Sequence, residues 1–300
     1  MTKPILYLSA STDAVDASLL TKRDAVLNFL KTGDIKASEI AAIGDSENDL
    51  PFIEIDGLGL IGTPANAQER VKERLRSRSN YVAMQKDVFE GFLEFFDLCV
   101  TRGIRHIISD RDGVLIWKGA SREETAALRK LLLGQSADAP PTVTVLTGSS
   151  VEQNTRFIND YSLNDKACCS RWVLEHPQLI WAENGSAVMN VLTGQTQVAL
   201  PDRLKPAGEM LKGSFEQKLL MRIEHDVLRP EGLTYSFSQD DQISKVYLPK
   251  KETMVTLNMP HVHNGIAEFR KSKEVIKFQK VLLGVMQEVA AQSGFEPVLL

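Results

Sequence analysis

Short apolar runs separated by helix-like stretches dominate the first 190 residues and constrain the fold more than any other feature. The runs are Glu39–Gly44 (EIAAIG), Gly57–Ile61 (GLGLI), Arg105–Ser109 (RHIIS), Thr142–Leu146 (TVTVL) and Leu179–Ala182 (LIWA). Runs this short and this apolar read as strands buried on both faces. Between them, Asp87–Val100 opens with Asp87 and Glu90 at capping-box spacing. Ser121–Leu133 repeats the spacing with Ser121 and Glu124 and can end at Gly134. Alternating strands and helices predict an α/β core: an open, mainly parallel sheet with helices on both faces. The active sites of such sheets lie beyond the carboxyl ends of the strands.

Near residue 189 the pattern changes. A helix with one apolar stripe (Leu211, Phe215, Leu219, Ile223) is followed by two strand-like runs, Ile243–Leu248 and Met254–Met259, around a turn at Pro249-Lys250-Lys251. A long helix is expected over Glu268–Gln292, stopped by Gly294. This reads as a separate α+β module. The predicted organisation is a core over residues 14–188 and a second domain built from 189–300 together with 1–13.

Composition excludes several classes. Three hundred residues, 43% apolar and 25% charged, can bury two cores. The net charge of −4 and the lack of any long Lys/Arg run argue against a nucleic-acid partner. The basic stretch Arg70–Arg78 alternates with Glu and Leu, as a solvated helix face does. Cys99, Cys168 and Cys169 form no CxxC pair, so neither a zinc site nor a disulfide framework is expected. No run approaches the roughly 20 apolar residues of a membrane helix, and the N-terminal apolar run is too short for a signal peptide. A cytoplasmic protein without a membrane partner is the expectation. His261 and His263 have ligand-like spacing but sit in a Pro- and Asn-Gly-flanked loop, where ordinary loop residues are expected.

Four segments at predicted strand ends or helix starts carry potential chemistry. Ser109-Asp110-Arg111-Asp112-Gly113-Val114 places two carboxylates where both can face one crevice. Gly113 lets the following backbone turn its N–H groups toward an anion. Taken alone, the segment is also a common turn. Leu146-Thr147-Gly148-Ser149-Ser150 offers a hydroxyl and a helix start to a phosphate oxygen, although Ser150 and Gln153 also fit a plain helix cap. Lys22 falls in a first helical turn, where the helix dipole disfavours a cation; a phosphate partner would explain it, and a surface lysine is the alternative. Gly44-Asp45-Ser46-Glu47-Asn48-Asp49 follows a strand. Ser46 and Asp49 fit a capping box, which leaves Asp45 unexplained. Clustering Asp45 with Asp110 and Asp112 is costly without a cation, and an all-oxygen site suits Mg²⁺.

Together these segments resemble the four signature motifs of the haloacid dehalogenase superfamily. The stretch Ile43–Val71 (IGDSENDLPFIEIDGLGLIGTPANAQERV) and the segment Trp181-Ala182-Glu183-Asn184-Gly185 are similar to its Cof-type and sugar-phosphate phosphatase branch. The resemblance implies a Rossmann-like core with an α+β cap, and a Mg²⁺-dependent phosphatase acting on a small phosphorylated metabolite, a sugar phosphate in particular. It implies Asp110 as nucleophile and Asp112 as general acid and base. Thr147, Gly148, Lys22 and Gly113 would hold the phosphoryl group. Asp110, Asp45 and the carbonyl of Asp112 would hold the metal, with Asp49 and Asn48 behind them.

Two residues depart from the pattern: Arg111 stands where an apolar residue is usual, and Val114 replaces a common threonine. The motif order departs too. It runs three, four, one, two, cap, as if the cap were cut open and the chain circularly permuted. A phosphomutase and a non-catalytic phosphate-binding protein of the same fold are the alternatives. A homodimer that swaps N-terminal strands is the alternative to pairing within one chain.

Overall fold

The computed structural model describes residues 3–10, 14–32, 35–117, 120–134, 140–230, 235–236, 246–258 and 273–300. His261, His263, the first residues of the expected Ile243–Leu248 strand, and positions 268–272 of the expected long helix lie outside them. The chain divides into two compact units, Thr21–Gln197 and Met1–Leu20 with Val198–Leu300.

In the Thr21–Gln197 unit six parallel strands stand in the order Leu179–Ala182, Thr142–Leu146, His106–Ser109, Ile40–Ile43, Leu60–Thr63, Tyr81–Ala83. Ala187–Asn190 adds antiparallel beside Leu179–Ala182, and Thr196–Val198 extends that edge. Residues alternate between two apolar layers. Ala41 and Ile43 face the layer that holds Phe92, Phe95, Leu128 and Phe157, from the helices Val88–Thr101, Arg122–Leu132 and Val151–Asp160. Ile40 and Ala42 face the other layer, with Val26, Phe52, Val71 and Leu75 from the helices Lys22–Thr32, Leu50–Ile53 and Glu69–Leu75. Both faces are therefore covered, which is why these strands read as unbroken apolar runs. The unit is a mixed α/β fold with a parallel-dominated, helix-flanked sheet.

The strand order reverses once. From Ile40–Ile43 the chain builds outward through Leu60–Thr63 and Tyr81–Ala83. It then returns by the Val88–Thr101 helix to His106–Ser109 and builds the other way. Ile43 and Ser109 are register partners at the reversal, so the residues after them open a crevice at the switch point.

The other unit is built on a six-stranded sheet, in the order Tyr235–Ser236, Val246–Tyr247, Met254–Asn258, Ala14–Ser18, Ile5–Ala10, Glu296–Leu299. Ala14–Ser18 pairs antiparallel with both Ile5–Ala10 and Met254–Asn258. Ile5–Ala10 pairs parallel with Glu296–Leu299. Leu6, Leu8, Val15 and Val255 pack against Leu211, Phe215, Leu219 and Ile223, and against Leu282 and Met286 of the helix Lys273–Gln292. The division therefore falls at 20/21 and near 197/198, against the expected 13/14 and 188/189. Ala14–Ser18 is an interior strand of this sheet, and Ala187–Asn190 continues the other one.

Among the described residues, no helix is long and apolar enough to cross a membrane.

Candidate active site

Three carboxylates and one ammonium meet at the switch point. Asp110 follows the His106–Ser109 strand and is 6% exposed. Its N–H donates to Ile43 O of the neighbouring strand at 3.0 Å. Asp45 and Asp49 sit in the loop and short 3₁₀ turn after Ile40–Ile43. Ligand atoms of Asp45, Asp49 and Asp110 lie within 4.8 Å of one another.

Lys22 is the first residue of its helix. Thr21 and Asp24 cap that helix: the Thr21 N–H and hydroxyl donate to Asp24 Oδ2 at 2.9 and 2.8 Å. The Lys22 ammonium donates to Asp49 Oδ1 and Asp110 Oδ1, each at 2.7 Å, with the Phe52 ring beneath it. The helix reaches this place because Gly185 has no side chain: a Cβ there would lie 2.2 Å from Ala25 Cβ.

Asp49 is saturated. Besides Lys22, its Oδ2 accepts from the Asp45 N–H at 3.1 Å, the Ser46 N–H at 3.1 Å and the Ser46 hydroxyl at 3.0 Å. That leaves Asp45 and Asp110 with open acceptor capacity. Burial pushes the Asp45 carboxyl up to about 7, and the neighbouring Asp49 charge adds to the effect. Asp110 is pushed up for the same reasons, burial first and Asp49 second. Burial would lower Lys22, but Asp110 and Asp49 outweigh it and hold its proton firmly. Three carboxylates against one ammonium leave the cluster short of positive charge, a donor set that fits a divalent cation.

The structure does not treat every expected residue alike. Thr147 directly follows the adjacent Thr142–Leu146 strand and is 2% exposed; its Oγ1 accepts from the Ser149 N–H at 3.1 Å. Gly148 follows it in the loop. Gly113, expected among the residues that hold the phosphoryl group, donates its own N–H to Ile116 O at 2.9 Å. With φ +84° and no side chain it makes room for the Asp45 carboxylate. Asn48, expected behind the metal, is exposed, and Asp49 alone of the pair meets Lys22. Asp112 projects from the Asp110 loop with its carboxylate 60% exposed and held by Arg111.

Sequence reasoning missed the braces. The Asn66 amide donates to Gly113 O at 2.9 Å, and the Gln68 N–H donates to Asp45 O at 2.8 Å. Both lie in the quoted Ile43–Val71 stretch, but neither residue type announces a bracing role. It also missed the side chain of Arg111, noted only as standing where an apolar residue is usual.

Residues 15–85 match the family model for haloacid dehalogenase-like hydrolases. The match supports a hydrolase of that superfamily. The matched stretch holds Lys22, Asp45 and Asp49; Asp110 and Thr147 lie beyond it, and the strand order brings them alongside. No curated protein matches the chain. A solved haloacid dehalogenase-like hydrolase from Bacteroides thetaiotaomicron is 13% identical, with 65% of this chain and 80% of that one covered. Its TM-score of 0.23 is too low to bear on the chemistry.

Proposed function

We propose that the chain is a Mg²⁺-dependent phosphomonoester hydrolase acting on a small phosphorylated metabolite, of which a sugar phosphate is the foremost candidate. The observation that carries this reading is the Lys22 ammonium, which bridges Asp110 and Asp49 at the switch point beside Asp45. Phosphoryl transfer demands positioned charge more than covalent machinery, and this cluster offers a buried carboxylate nucleophile with a fixed cation beside it.

In the proposed reaction an Asp110 oxygen attacks phosphorus as the bond to the leaving oxygen breaks, forming an aspartyl-phosphate. Asp112 gives its proton to the leaving oxygen. It then takes one from the water that attacks phosphorus and frees Asp110. Lys22 orients Asp110 and offsets charge on the phosphoryl oxygens, with Thr147 and Gly148 on the adjacent loop. Asp110, Asp45 and the Asp112 carbonyl would hold Mg²⁺, which supplies the remaining positive charge when bound. Asp49, already saturated, keeps Lys22 and the Asp45 backbone in place.

The motif order belongs to the same proposal: the chain is a permuted member of the superfamily. Its support is that Ile5–Ala10 and Ala14–Ser18, which precede Lys22, share a sheet with Met254–Asn258. The discontinuous unit would be the cap that selects the substrate.

The test is phosphate release from a panel of phosphorylated metabolites and p-nitrophenyl phosphate, with Mg²⁺ and with EDTA. Asp110→Asn should abolish turnover with unchanged circular dichroism. Lys22→Met should lower kcat by about two to three orders of magnitude, the scale of one lost preorganised charge contact. Undiminished turnover by Asp110→Asn in EDTA would overturn the reading.

A further inference from the structure

We propose that Arg111 is a positioning residue, which fixes the Asp112 carboxylate to the Thr147–Ser149 loop. The inference rests on the phosphatase reading for Asp112's role, but its geometry stands apart from it. Arg111 directly follows the proposed nucleophile, yet its side chain turns inward and is 9% exposed. Nη2 donates to Asp112 Oδ2 at 2.8 Å and to Ser149 Oγ at 2.7 Å, so a single nitrogen joins the two loops. Nη1 donates to Asn154 Oδ1 at 2.8 Å. The guanidinium lies 5.9 Å from the centre of the Phe157 ring.

Asn154 makes the clamp rigid. It is fully buried, and its amide nitrogen donates to Ser149 O at 3.3 Å and Ser150 O at 2.9 Å, which turns Oδ1 toward Arg111. The anchor is thus the first turn of the Val151–Asp160 helix, capped by Ser150. Asp112, by contrast, is mostly exposed, and an exposed carboxylate samples several rotamers unless something holds it.

Burying a guanidinium carries a desolvation penalty that an apolar side chain would not incur. Packing alone does not explain an arginine here, since contact with the Phe157 ring needs no hydrogen-bonding fork. The fork geometry does: a planar guanidinium reaches Asp112, Ser149 and Asn154 together, and a lysine ammonium cannot span all three in one plane. The consequence is specific. If Arg111 places the group that protonates the leaving oxygen, its loss matters most for leaving groups that need the proton and least for those that depart without one.

The experiment compares the full-length wild type, Arg111→Met and Arg111→Lys in Mg²⁺, on p-nitrophenyl phosphate and on an alkyl phosphate such as glycerol phosphate. Arg111→Met should lose about 10²–10³ in kcat/KM on the alkyl ester; kcat/KM reports the step in which the leaving oxygen departs, so the later hydrolysis of the shared aspartyl-phosphate, which Asp112 also serves, does not enter. It should lose less than about tenfold in kcat/KM on the nitrophenyl ester, and Arg111→Lys should recover part of the loss on the alkyl ester. Equal losses on both esters would overturn the proposal, since a merely structural arginine would damage both alike. A crystal structure of Arg111→Met supplies a readout free of turnover. The Asp112 carboxylate should leave its place beside Ser149; a carboxylate unmoved there overturns the proposal. If the wild type cleaves neither ester, the phosphatase reading fails, and the crystal structure alone decides whether Arg111 positions Asp112.

Discussion

The Asp45 carboxylate fills the space a side chain at Gly113 would take: a Cβ there would lie 2.2 Å from Asp45 Oδ2. Backbone at φ +84° adds strain for any other residue. Gly113→Ala should therefore cost about 1–3 kcal/mol of stability. It should also displace Asp45 and weaken divalent-cation binding. Calorimetric titration with Mg²⁺ checks it; an unchanged affinity would show that Asp45 does not depend on the glycine.

The cluster's missing positive charge predicts the response to metal. Mg²⁺ should raise the melting temperature and EDTA should reverse the gain, because binding only the folded state stabilises it. Asp45, pushed up to about 7 by burial and by Asp49, must give up its proton to bind. The Mg²⁺ effect should therefore be small at pH 5.5 and grow as pH rises through about 7. Thermal scans across that range test this, and Asp45→Asn should flatten the dependence.

His106 gives a pH effect of separate origin. Its ring lies between Thr142 Oγ1 at 2.6 Å and Thr144 Oγ1 at 3.1 Å, against Phe29, and burial holds its pKa down to about 4. A value below the usual 6.5 means that the neutral ring's contribution is complete above about pH 6.5 and is lost as pH falls toward 4. The loss from this residue should reach roughly 3 kcal/mol at most. Urea unfolding at pH 7 and pH 4.5 should show a smaller difference in His106→Asn than in the wild type; parallel behaviour would refute it.

Deleting residues 1–10 removes an interior strand, with Leu6 and Leu8 fully buried between Ala14–Ser18 and Glu296–Leu299. Losing two such side chains and both ladders should unfold that unit. Limited proteolysis should then digest residues beyond 198 while a fragment near 21–197 persists. Survival of the whole chain would contradict this.

Much of this was legible in the sequence. Thr142–Leu146 and Leu179–Ala182 form with the bounds their apolar runs predict, because both faces are buried. The expected Gly57–Ile61 strand moves to Leu60–Thr63. Gly57 has φ +84° and turns the chain, and Gly59 donates to Ile40 O rather than continuing a ladder. Tyr81–Ala83 escaped notice because a three-residue edge strand, only partly buried, leaves no apolar run. At the site, carboxylates spaced for chemistry were readable, since charge in a strand-end loop demands explanation. The contribution of Arg111 was not, because whether an arginine turns inward depends on Asn154 and Ser149, which lie far along the chain.

The parallel partnership of Ile5–Ala10 with Glu296–Leu299 ties assembly to synthesis. During translation the first of these strands emerges long before Met254–Asn258 and Glu296–Leu299 exist. The unbroken stretch Thr21–Gln197, by contrast, can fold as soon as it clears the ribosome. Until Met254–Asn258 and Glu296–Leu299 have been made, the early strands carry unpaired edges and exposed leucines. The discontinuous unit is therefore the slow, late step in maturation, and the one most dependent on protection against aggregation.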